Sequence, residues 1–336
     1  MKYREWLQEW LSSYVKHRVK PKTYAVYQDV AQNRLTERFG HFELEEITPA
    51  DVQRYVSELL QTGNRVTGGG LSSSSANIVI AVLRSSLKTA YEIGISRVYT
   101  MDRIKRPRPR EKRVECFTVS EQRAIEEAVR VDKRPKMLGI VICLYTGMRI
   151  GELLALNWED VDLNRKEIHI TKTRCDLDRK KNRYGTVNAP KTDTSLRVIP
   201  IPDKLVGLLR TEYTERATNS LISYNGASVS VRSYQRSFEL LLRRLSIPHR
   251  GFHALRHTFA TRALECGMDV RTLADILGHK NPTVTLNRYA HSMNEHKRDM
   301  MNQVANVGLR SSNHIFGENL QQEVQKQDWL CASCYF

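Results

Sequence analysis

The sequence predicts a mainly α-helical chain of two domains, the second of which contains a small antiparallel β-sheet. Three observations predict this fold class. Apolar residues recur at intervals of three and four along most of the chain, as on one face of a helix. From Lys166 the period changes to two, with many β-branched residues, in the stretches KEIHITKT, TVNAPKT and SLRVIPIP. A basic segment containing prolines, residues 103–113, separates the two regions.

Residues 1–98 are expected to form a bundle of four helices. The first covers residues 2–17, the second begins at Pro21, and the fourth begins at Ser74. Thr48 is expected to cap the third helix, because Pro49 suits the first helical position. The side chains expected to face the core from the third and fourth helices are Val52, Tyr55, Val56, Leu59, Leu60, Ile78, Ile80, Val82, Leu83 and Leu87.

Residues 99–115 are predicted to be an interdomain linker. Within it, the stretch RIKRPRPREKR has seven Lys or Arg residues among eleven and two prolines. This charge density also suits contact with a phosphate backbone, since cationic side chains there release condensed counterions. The candidate nucleic-acid-binding residues are Arg103, Lys105, Arg106, Arg108, Arg110, Lys112 and Arg113.

The overall charge points to a polyanionic partner. The formal net charge is +16, with 53 Lys and Arg against 37 Asp and Glu, and nucleic acid is the commonest partner of so basic a protein. The N-terminus lacks the apolar core of a signal peptide, and the longest apolar run, Leu138 to Tyr145, is too short to span a bilayer. We therefore expect a cytoplasmic, DNA-associated protein.

The six cysteines are expected to be reduced thiols. Most are scattered along a chain with no export signal, which disfavours a disulfide framework. One Cys-x-x-Cys pair lies at the C-terminus, but a zinc site needs more ligands. The cysteines are Cys116, Cys143, Cys175, Cys266, Cys331 and Cys334.

The second domain is predicted to cover residues 116–300. Thr118 and Glu121 form a capping-box pattern at its first helix. An apolar helix breaks at Thr146-Gly147, and MRIGELLALNWEDVDL begins a further helix at about Arg149. Helices resume near residues 202 and 233, after the strands.

The most informative stretch lies between residues 249 and 291. HALRHTFATRALE is expected to be a helix with Leu255, Phe259 and Leu264 on its apolar side and the basic residues on another face. VRTLADILGH is a second short helix, closed by Gly278 in a left-handed cap. TVTLNRYAH is a third, carrying Tyr289.

Four segments of this domain carry side chains suited to a phosphate. Arginine binds phosphate oxygens with two parallel hydrogen bonds, histidine donates or transfers protons, and tyrosine can be a covalent nucleophile. A glutamate three residues after the first arginine could orient it. These candidates are Arg149, Glu152, Lys191, His253, Arg256, His279 and Tyr289.

Taken in order, TGMRIGELLALNWEDVD, PKTDTSLRVIP, HALRHTFAT and LGHKNPTVTLNRYAH resemble the tyrosine recombinases, the family of phage and mobile-element integrases and chromosome-resolution recombinases. The resemblance covers residues 2–295. It implies a helical, SAM-like core-binding domain that clamps DNA, joined by a basic linker to a mixed α+β catalytic domain. Residues 301–336 would be a C-terminal tail.

The resemblance also implies a role for each candidate. Arg149 and Arg256 would bind the non-bridging oxygens of the scissile phosphate, and Glu152 would support the first of them. His253 and His279 would contact the phosphate, and His253 could also assist proton transfer. The matching lysine, Lys191, would protonate the 5′-hydroxyl leaving group. The matching tyrosine, Tyr289, would form a 3′-phosphotyrosine.

This chemistry implies no cofactor and no metal ion. Cations neutralise the phosphodiester, and the covalent intermediate conserves the bond energy, so no ATP is required. The expected partners are double-stranded recombination sites, a homotetramer on DNA, and an accessory protein that sets direction.

Other interpretations remain open at this point. His253 and His257, four apart, could ligate zinc, but the acid of the HExxH motif is replaced by Ala254. A type IB topoisomerase would share the chemistry, and a non-catalytic DNA-binding regulator would share the charge. Integration and excision of a mobile element is the expected role, and resolution of chromosome dimers is the alternative.

Overall fold

The computed structural model describes residues 1–109, 114–132, 134–175, 186–188, 196–216, 218–224, 226–283, 301–302 and 305. The chain divides into two compact units, Met1–Arg113 and Val114–Phe336. In this described part of the chain, no helix combines the length and the apolar character needed to cross a membrane.

The first unit is a helical bundle. Short π-helical segments, Trp10–Val15 and Ala31–Leu35, continue two of its helices without a break in the chain direction. Its α-helices are α1 (Tyr3–Glu9), α2 (Pro21–Val30), α3 (Thr36–Phe39), α4 (Pro49–Thr62) and α5 (Ser73–Glu92). The four predicted helical stretches are confirmed, the second as α2, a π segment and α3 in succession.

Aromatic side chains of the first helix hold it against α5. The hydroxyl of Tyr3 lies 2.6 Å from the hydroxyl of Ser86, and the Trp6 indole donates to the Ser86 carbonyl at 3.0 Å. Trp10 donates to the Thr89 hydroxyl at 3.2 Å. Buried Tyr and Trp rings need such partners for their polar atoms, so these bonds fix the register of the two helices.

Most of the predicted core positions of α4 and α5 are buried, but two are not. Thr48 caps α4 as expected, accepting from the Asp51 amide at 3.2 Å. Leu60 and Ile78 were expected to face the core and are 37% and 49% exposed. Both lie at the edge of an apolar stripe, where a sequence window does not locate the boundary of the partner surface.

The first residues of the predicted linker pack on this bundle. Met101 is fully buried, and its carbonyl accepts from Arg84 at 2.9 Å. Asn77 donates to the Pro107 carbonyl at 2.9 Å. Residues 101–107 are therefore held by α5 of the first unit.

The second unit combines helices with short strands. Its helices are α6 (Val119–Val131), α7 (Pro135–Thr146), α8 (Ile150–Leu153), α9 (Asp203–Thr214), α10 (Val231–Arg244), α11 (His253–Glu265) and α12 (Val270–Leu277). Its strands are β1 (Val161–Asp162), β2 (Glu167–Ile170), β3 (Thr173–Cys175), β4 (Thr186–Asn188), β5 (Arg197–Pro200), β6 (Ser223–Tyr224) and β7 (Ala227–Ser228).

The predicted antiparallel region forms two separate sheets in the part of the chain that the structure describes. One sheet has the order β1-β2-β5, with Ile168 opposite Ile199, and β3 pairs with β4 in a separate ribbon. Ile168, Ile170 and Ile199 alternate with exposed or half-buried residues and are buried. The period of two thus predicted the strands.

The helix expected from Arg149 is only one turn long, because α8 ends at Leu153. The following backbone pairs with a distant segment: Leu221 donates to the Leu156 carbonyl at 3.0 Å, and Trp158 donates to the Asn219 carbonyl at 2.9 Å. These tertiary bonds replace the intrahelical bonds that the apolar pattern predicted.

Of the three helices predicted after residue 252, the first two are confirmed as α11 and α12, and the third, TVTLNRYAH, lies outside the described residues beyond Thr283. Gly278 ends α12 with φ of 65°, as the left-handed cap requires. The basic residues of α11 were expected on a face other than the apolar one, and Arg256 among them is nevertheless buried, with 2% of its surface exposed. Most residues of α11 are themselves buried, and the helix packs against α7.

Replacing Leu35 by Ala tests the core of the first unit. Leu35 is fully buried, so truncation should lower the free energy of unfolding by about 2–5 kcal/mol. Urea denaturation followed by circular dichroism measures this change. Val66, which is 93% exposed, provides the control, and Val66→Ala should shift stability by less than about 0.5 kcal/mol. Equal effects of the two variants would contradict the assignment of this core.

Candidate active site

Three consecutive carbonyl groups at the end of α12 organise the candidate site. The carbonyl of Ile276 accepts from Arg197 at 2.6 Å, that of Leu277 from Arg256 at 2.7 Å, and that of Gly278 from Arg149 at 3.2 Å. The last carbonyls of a helix lack intrahelical partners and carry a partial negative charge. The end of α12 therefore gathers three guanidinium groups from three different elements.

Arg256 is the most enclosed of the three. Besides Leu277, it donates to the Gly147 carbonyl at 2.8 Å and contacts Nε2 of His279 at 2.8 Å. Since a guanidinium only donates, Nε2 of His279 is the acceptor in this contact. The sequence-predicted residues Arg256 and His279 are thus brought into direct contact.

The glycine at position 147 allows the chain to turn where its carbonyl accepts from Arg256. It ends α7 with φ of 63°, a conformation that favours glycine. A Cβ atom there would lie 2.4 Å from the Phe259 ring and 2.8 Å from Leu277. The chain turns at Gly147 without a side chain, and its carbonyl points to Arg256.

Arg149 and Glu152 form the second part of the site. Arg149 precedes α8, and its Nη1 donates to Oε1 of Glu152 at 2.8 Å. The Arg149 amide donates to Oε2 of the same carboxylate at 2.9 Å, so Glu152 also caps the helix start. The predicted orientation of Arg149 by Glu152 agrees with these contacts.

Arg197, the first residue of β5, completes the cluster and was not singled out from the sequence. Its Nη2 and Nη1 donate to the two oxygens of Glu152 at 2.8 and 3.2 Å, and its side chain is 7% exposed. The available signal was a charged residue within the alternating stretch SLRVIPIP. Because strand positions alternate between faces, such a charge is ordinarily read as solvent-facing.

Two arginines keep the Glu152 carboxylate ionised. Burial alone would raise its pKa, but hydrogen bonds and charge from Arg197, followed by the charge and amide of Arg149, lower the pKa to about 2. The three guanidinium groups and this single carboxylate sum to a formal charge of +2. The cluster is therefore suited to an anion.

His253 lies at the start of α11, one turn before Arg256, with its side chain exposed. Its ring contacts that of His257 edge-on, with centroids 4.6 Å apart and planes at 85°. Among the described residues, no three His, Cys, Asp or Glu side chains are grouped as a metal site would require.

Two predicted catalytic residues, Lys191 and Tyr289, lie outside the described residues. So do Arg110, Lys112 and Arg113 of the basic segment. The other predicted DNA-binding residues of that segment have exposed side chains. These are Arg103, Lys105, Arg106 and Arg108.

The chain matches two family descriptions. Residues 117–296 match the phage integrase family, and residues 2–60 match the N-terminal SAM-like domain of phage integrases. The chain therefore belongs to the phage integrase family, and the sequence-based expectation of a tyrosine-type site-specific DNA recombinase is confirmed.

Known relatives include a protein named as a tyrosine recombinase and one named as an integrase. The chain is 29% identical to a "Tyrosine recombinase XerC-like" protein of Caldanaerobacter subterraneus subsp. tengcongensis, covering 86% of this chain and 78% of the relative. It is 24% identical to the ICEBs1 integrase of Bacillus subtilis, covering 84% and 77%. These relatives do not separate an integrase from a Xer-type recombinase.

Solved structures show the same fold. The integrase of transposon Tn1549, solved with transposon right-end DNA, superposes with a TM-score of 0.75 at 22% identity, covering 91% of this chain and 100% of that one. A λ integrase dimer bound to a core site gives a TM-score of 0.66 at 17% identity, covering 86% and 77%. The expected fold of a SAM-like domain followed by a mixed catalytic domain is confirmed.

Replacing Glu152 by Gln tests the ionised carboxylate. Because its pKa is lower in the folded protein, Glu152 stabilises the fold above its unfolded pKa, and this contribution is lost as the pH falls toward 2. The difference in unfolding free energy between wild type and Glu152→Gln should shrink by about 2 kcal/mol from pH 7 to pH 3. Urea denaturation at each pH measures it.

Leu205→Ala serves as the control for this titration. Leu205 is fully buried in the core of the same unit, and its truncation removes no titrating group. Its difference from wild type should stay constant over the same range. A constant difference for Glu152→Gln as well would show that the two arginines do not hold this carboxylate ionised.

Proposed function

We propose that Arg149, Arg256 and His279 bind the scissile phosphodiester of a DNA recombination site, and that Tyr289 attacks its phosphorus. The observation that carries the proposal is the set of guanidinium and imidazole groups held at the end of α12. Backbone carbonyls orient these groups without cancelling their charge. Fixed donors of this kind stabilise charge that develops in a phosphoryl-transfer transition state.

The proposed cleavage transfers the phosphoryl group from the 5′-oxygen of DNA to the Tyr289 oxygen. The Tyr289 oxygen forms a bond to phosphorus, and the bond from phosphorus to the 5′-oxygen breaks. Lys191 donates a proton to that 5′-oxygen, and the phenolic proton passes to His253. The result is a 3′-phosphotyrosine and a free 5′-hydroxyl, which keeps the phosphodiester energy for rejoining. Attack by a 5′-hydroxyl from the partner strand reverses these steps.

In the proposal, both units contact double-stranded DNA. The SAM-like unit and the exposed basic side chains at residues 103–108 contact the phosphate backbone. The structures of a λ integrase bound as a dimer to a core site and as a tetramer to a Holliday junction support a homotetramer as the active assembly. An accessory DNA-binding protein that sets the direction of recombination is a further part of the proposal.

Replacing Tyr289 by Phe should abolish the covalent adduct. Phenylalanine removes the attacking oxygen and little else, so DNA affinity should stay within about threefold while adduct formation falls by at least about 10³-fold. The substrate is nicked DNA that carries the sequence flanking the gene. Denaturing gels detect the adduct, and mobility shifts measure affinity.

Tyr213→Phe is the matched control, because Tyr213 lies on α9 and is 41% exposed. This variant should form the adduct at the wild-type rate. An adduct formed by Tyr289→Phe would assign the nucleophile to another residue. Efficient relaxation of supercoiled DNA that lacks the flanking sequence would favour the topoisomerase interpretation.

We further propose that the cellular role is integration and excision of a mobile element, which the similarity to the ICEBs1 integrase supports. The similarity to a XerC-like recombinase supports resolution of chromosome dimers as the second candidate. Sequencing around the gene and amplifying across an excised circular junction distinguishes them. Repeats at both ends of an element, with a circular product that requires the wild-type gene, are expected. Loss of chromosome-dimer resolution on deletion, with no circle, would favour the second role.

A further inference from the structure

Arg197 links three parts of the second unit. Its guanidinium binds both oxygens of Glu152, and its Nε donates to the Ile276 carbonyl at 2.6 Å. These contacts join β5 to α8 and to the end of α12. A two-pronged arginine–carboxylate bond fixes the orientation of both partners.

The Glu152 carboxylate passes this restraint to Arg149. Oε1 of Glu152 accepts from Arg197 at 3.2 Å and from Arg149 at 2.8 Å. Arg149 then reaches the Gly278 carbonyl at 3.2 Å, two residues after the carbonyl that accepts from Arg197. Two sets of contacts therefore link Arg197 to Arg149, one through the Glu152 carboxylate and one through the end of α12.

Charge gives Arg197 a second effect. Arg149 and Glu152 alone would form a neutral pair, and a buried carboxylate with one cationic partner holds that partner tightly. With Arg197 the three groups carry a formal charge of +1. The second arginine balances the carboxylate and leaves the positive charge of Arg149 available to a phosphate.

We propose that Arg197 is a positioning residue of this recombinase. It holds Glu152 ionised and oriented, so that Arg149 presents its charge to the scissile phosphate. The inference rests on the proposed phosphate-binding role of Arg149. It does not assign Arg197 any contact with DNA.

The test compares Arg197→Ala, Arg197→Lys and the double variant Arg197→Ala/Glu152→Gln. Single-turnover cleavage of nicked flanking-sequence DNA is measured at saturating enzyme, with DNA affinity and melting temperature in parallel. Arg197→Ala should cleave on the order of 10²-fold more slowly, the effect expected of a misplaced catalytic group. Its DNA affinity should remain within about threefold of wild type, because Arg149 acts on the reacting phosphate and the affinity comes mainly from the backbone contacts.

The double variant separates positioning from simple structural support. Without Arg197, the Glu152 carboxylate pairs with Arg149 alone and should hold it away from the phosphate. Removing that charge as well should therefore restore part of the rate, at least about threefold over Arg197→Ala. A purely structural role predicts that the double variant is no faster than the single one, and that result would overturn the proposal.

Arg197→Lys keeps the charge and loses the two-pronged bond. It should cleave at a rate between those of Arg197→Ala and wild type. Arg197→Lys also tests the proposal if Arg197→Ala does not fold. A reduced cleavage rate of Arg197→Lys at the wild-type melting temperature supports the positioning role, and a wild-type cleavage rate overturns it.

Arg134→Ala is the matched control. Arg134 binds Asp132, which a second arginine, Arg244, also approaches at 3.6 Å, and the pKa of that carboxyl is likewise lowered to about 2 by Arg134. This arrangement lies at the other end of α7, about 18 Å from Gly147 by helix length. Arg134→Ala should cleave at the wild-type rate. No adduct from wild type or Arg134→Ala would refute the proposed function itself, whereas a normal rate for Arg197→Ala refutes only this inference.

Discussion

The hydrogen bonds from three arginines to the end of α12 are the interaction on which the candidate site depends. Guanidinium groups repel one another at close range, and their burial costs solvation energy. The carbonyls of Ile276, Leu277 and Gly278 offset both effects, because they accept hydrogen bonds and present the negative end of the helix dipole. Only Glu152 adds a full negative charge to this cluster of described residues, so the net charge stays positive.

The site is assembled from helix ends, whose geometry two glycines permit. Gly147 ends α7 and Gly278 ends α12, both with positive φ, and the carbonyls of both bind arginines of the cluster. Arg149 precedes α8, whose amide end the Glu152 carboxylate caps. Helix termini have unpaired backbone groups, and here these groups orient side chains. The helix that carries Arg256, α11, packs against α7, which Gly147 ends.

Local signals in the sequence predicted the parts of the structure that local chemistry determines. Thr48 and Thr118 cap their helices, and Gly278 ends α12, because a cap depends on a few adjacent residues. The length of α8, the exposure of Ile78 and the burial of Arg256 depend on distant chain segments that no local pattern reveals. Arg197 was missed for the same reason: its partners lie 45 and 79 residues away. Residue chemistry made Lys191 and Tyr289 candidates for the site, and the family resemblance implies their roles as general acid and nucleophile.

Charge balance connects the stability of the second unit with its proposed chemistry. Glu152 stabilises the fold because two arginines lower its pKa, and the same carboxylate would neutralise Arg149 if Arg197 were absent. Arg256 is almost fully buried, and the backbone carbonyls of Gly147 and Leu277 accept its hydrogen bonds without adding a full negative charge. A phosphodiester entering this cluster would supply negative charge to side chains that are already oriented. The cationic side chains are therefore preorganised in the folded protein, so they need little reorientation during the reaction step.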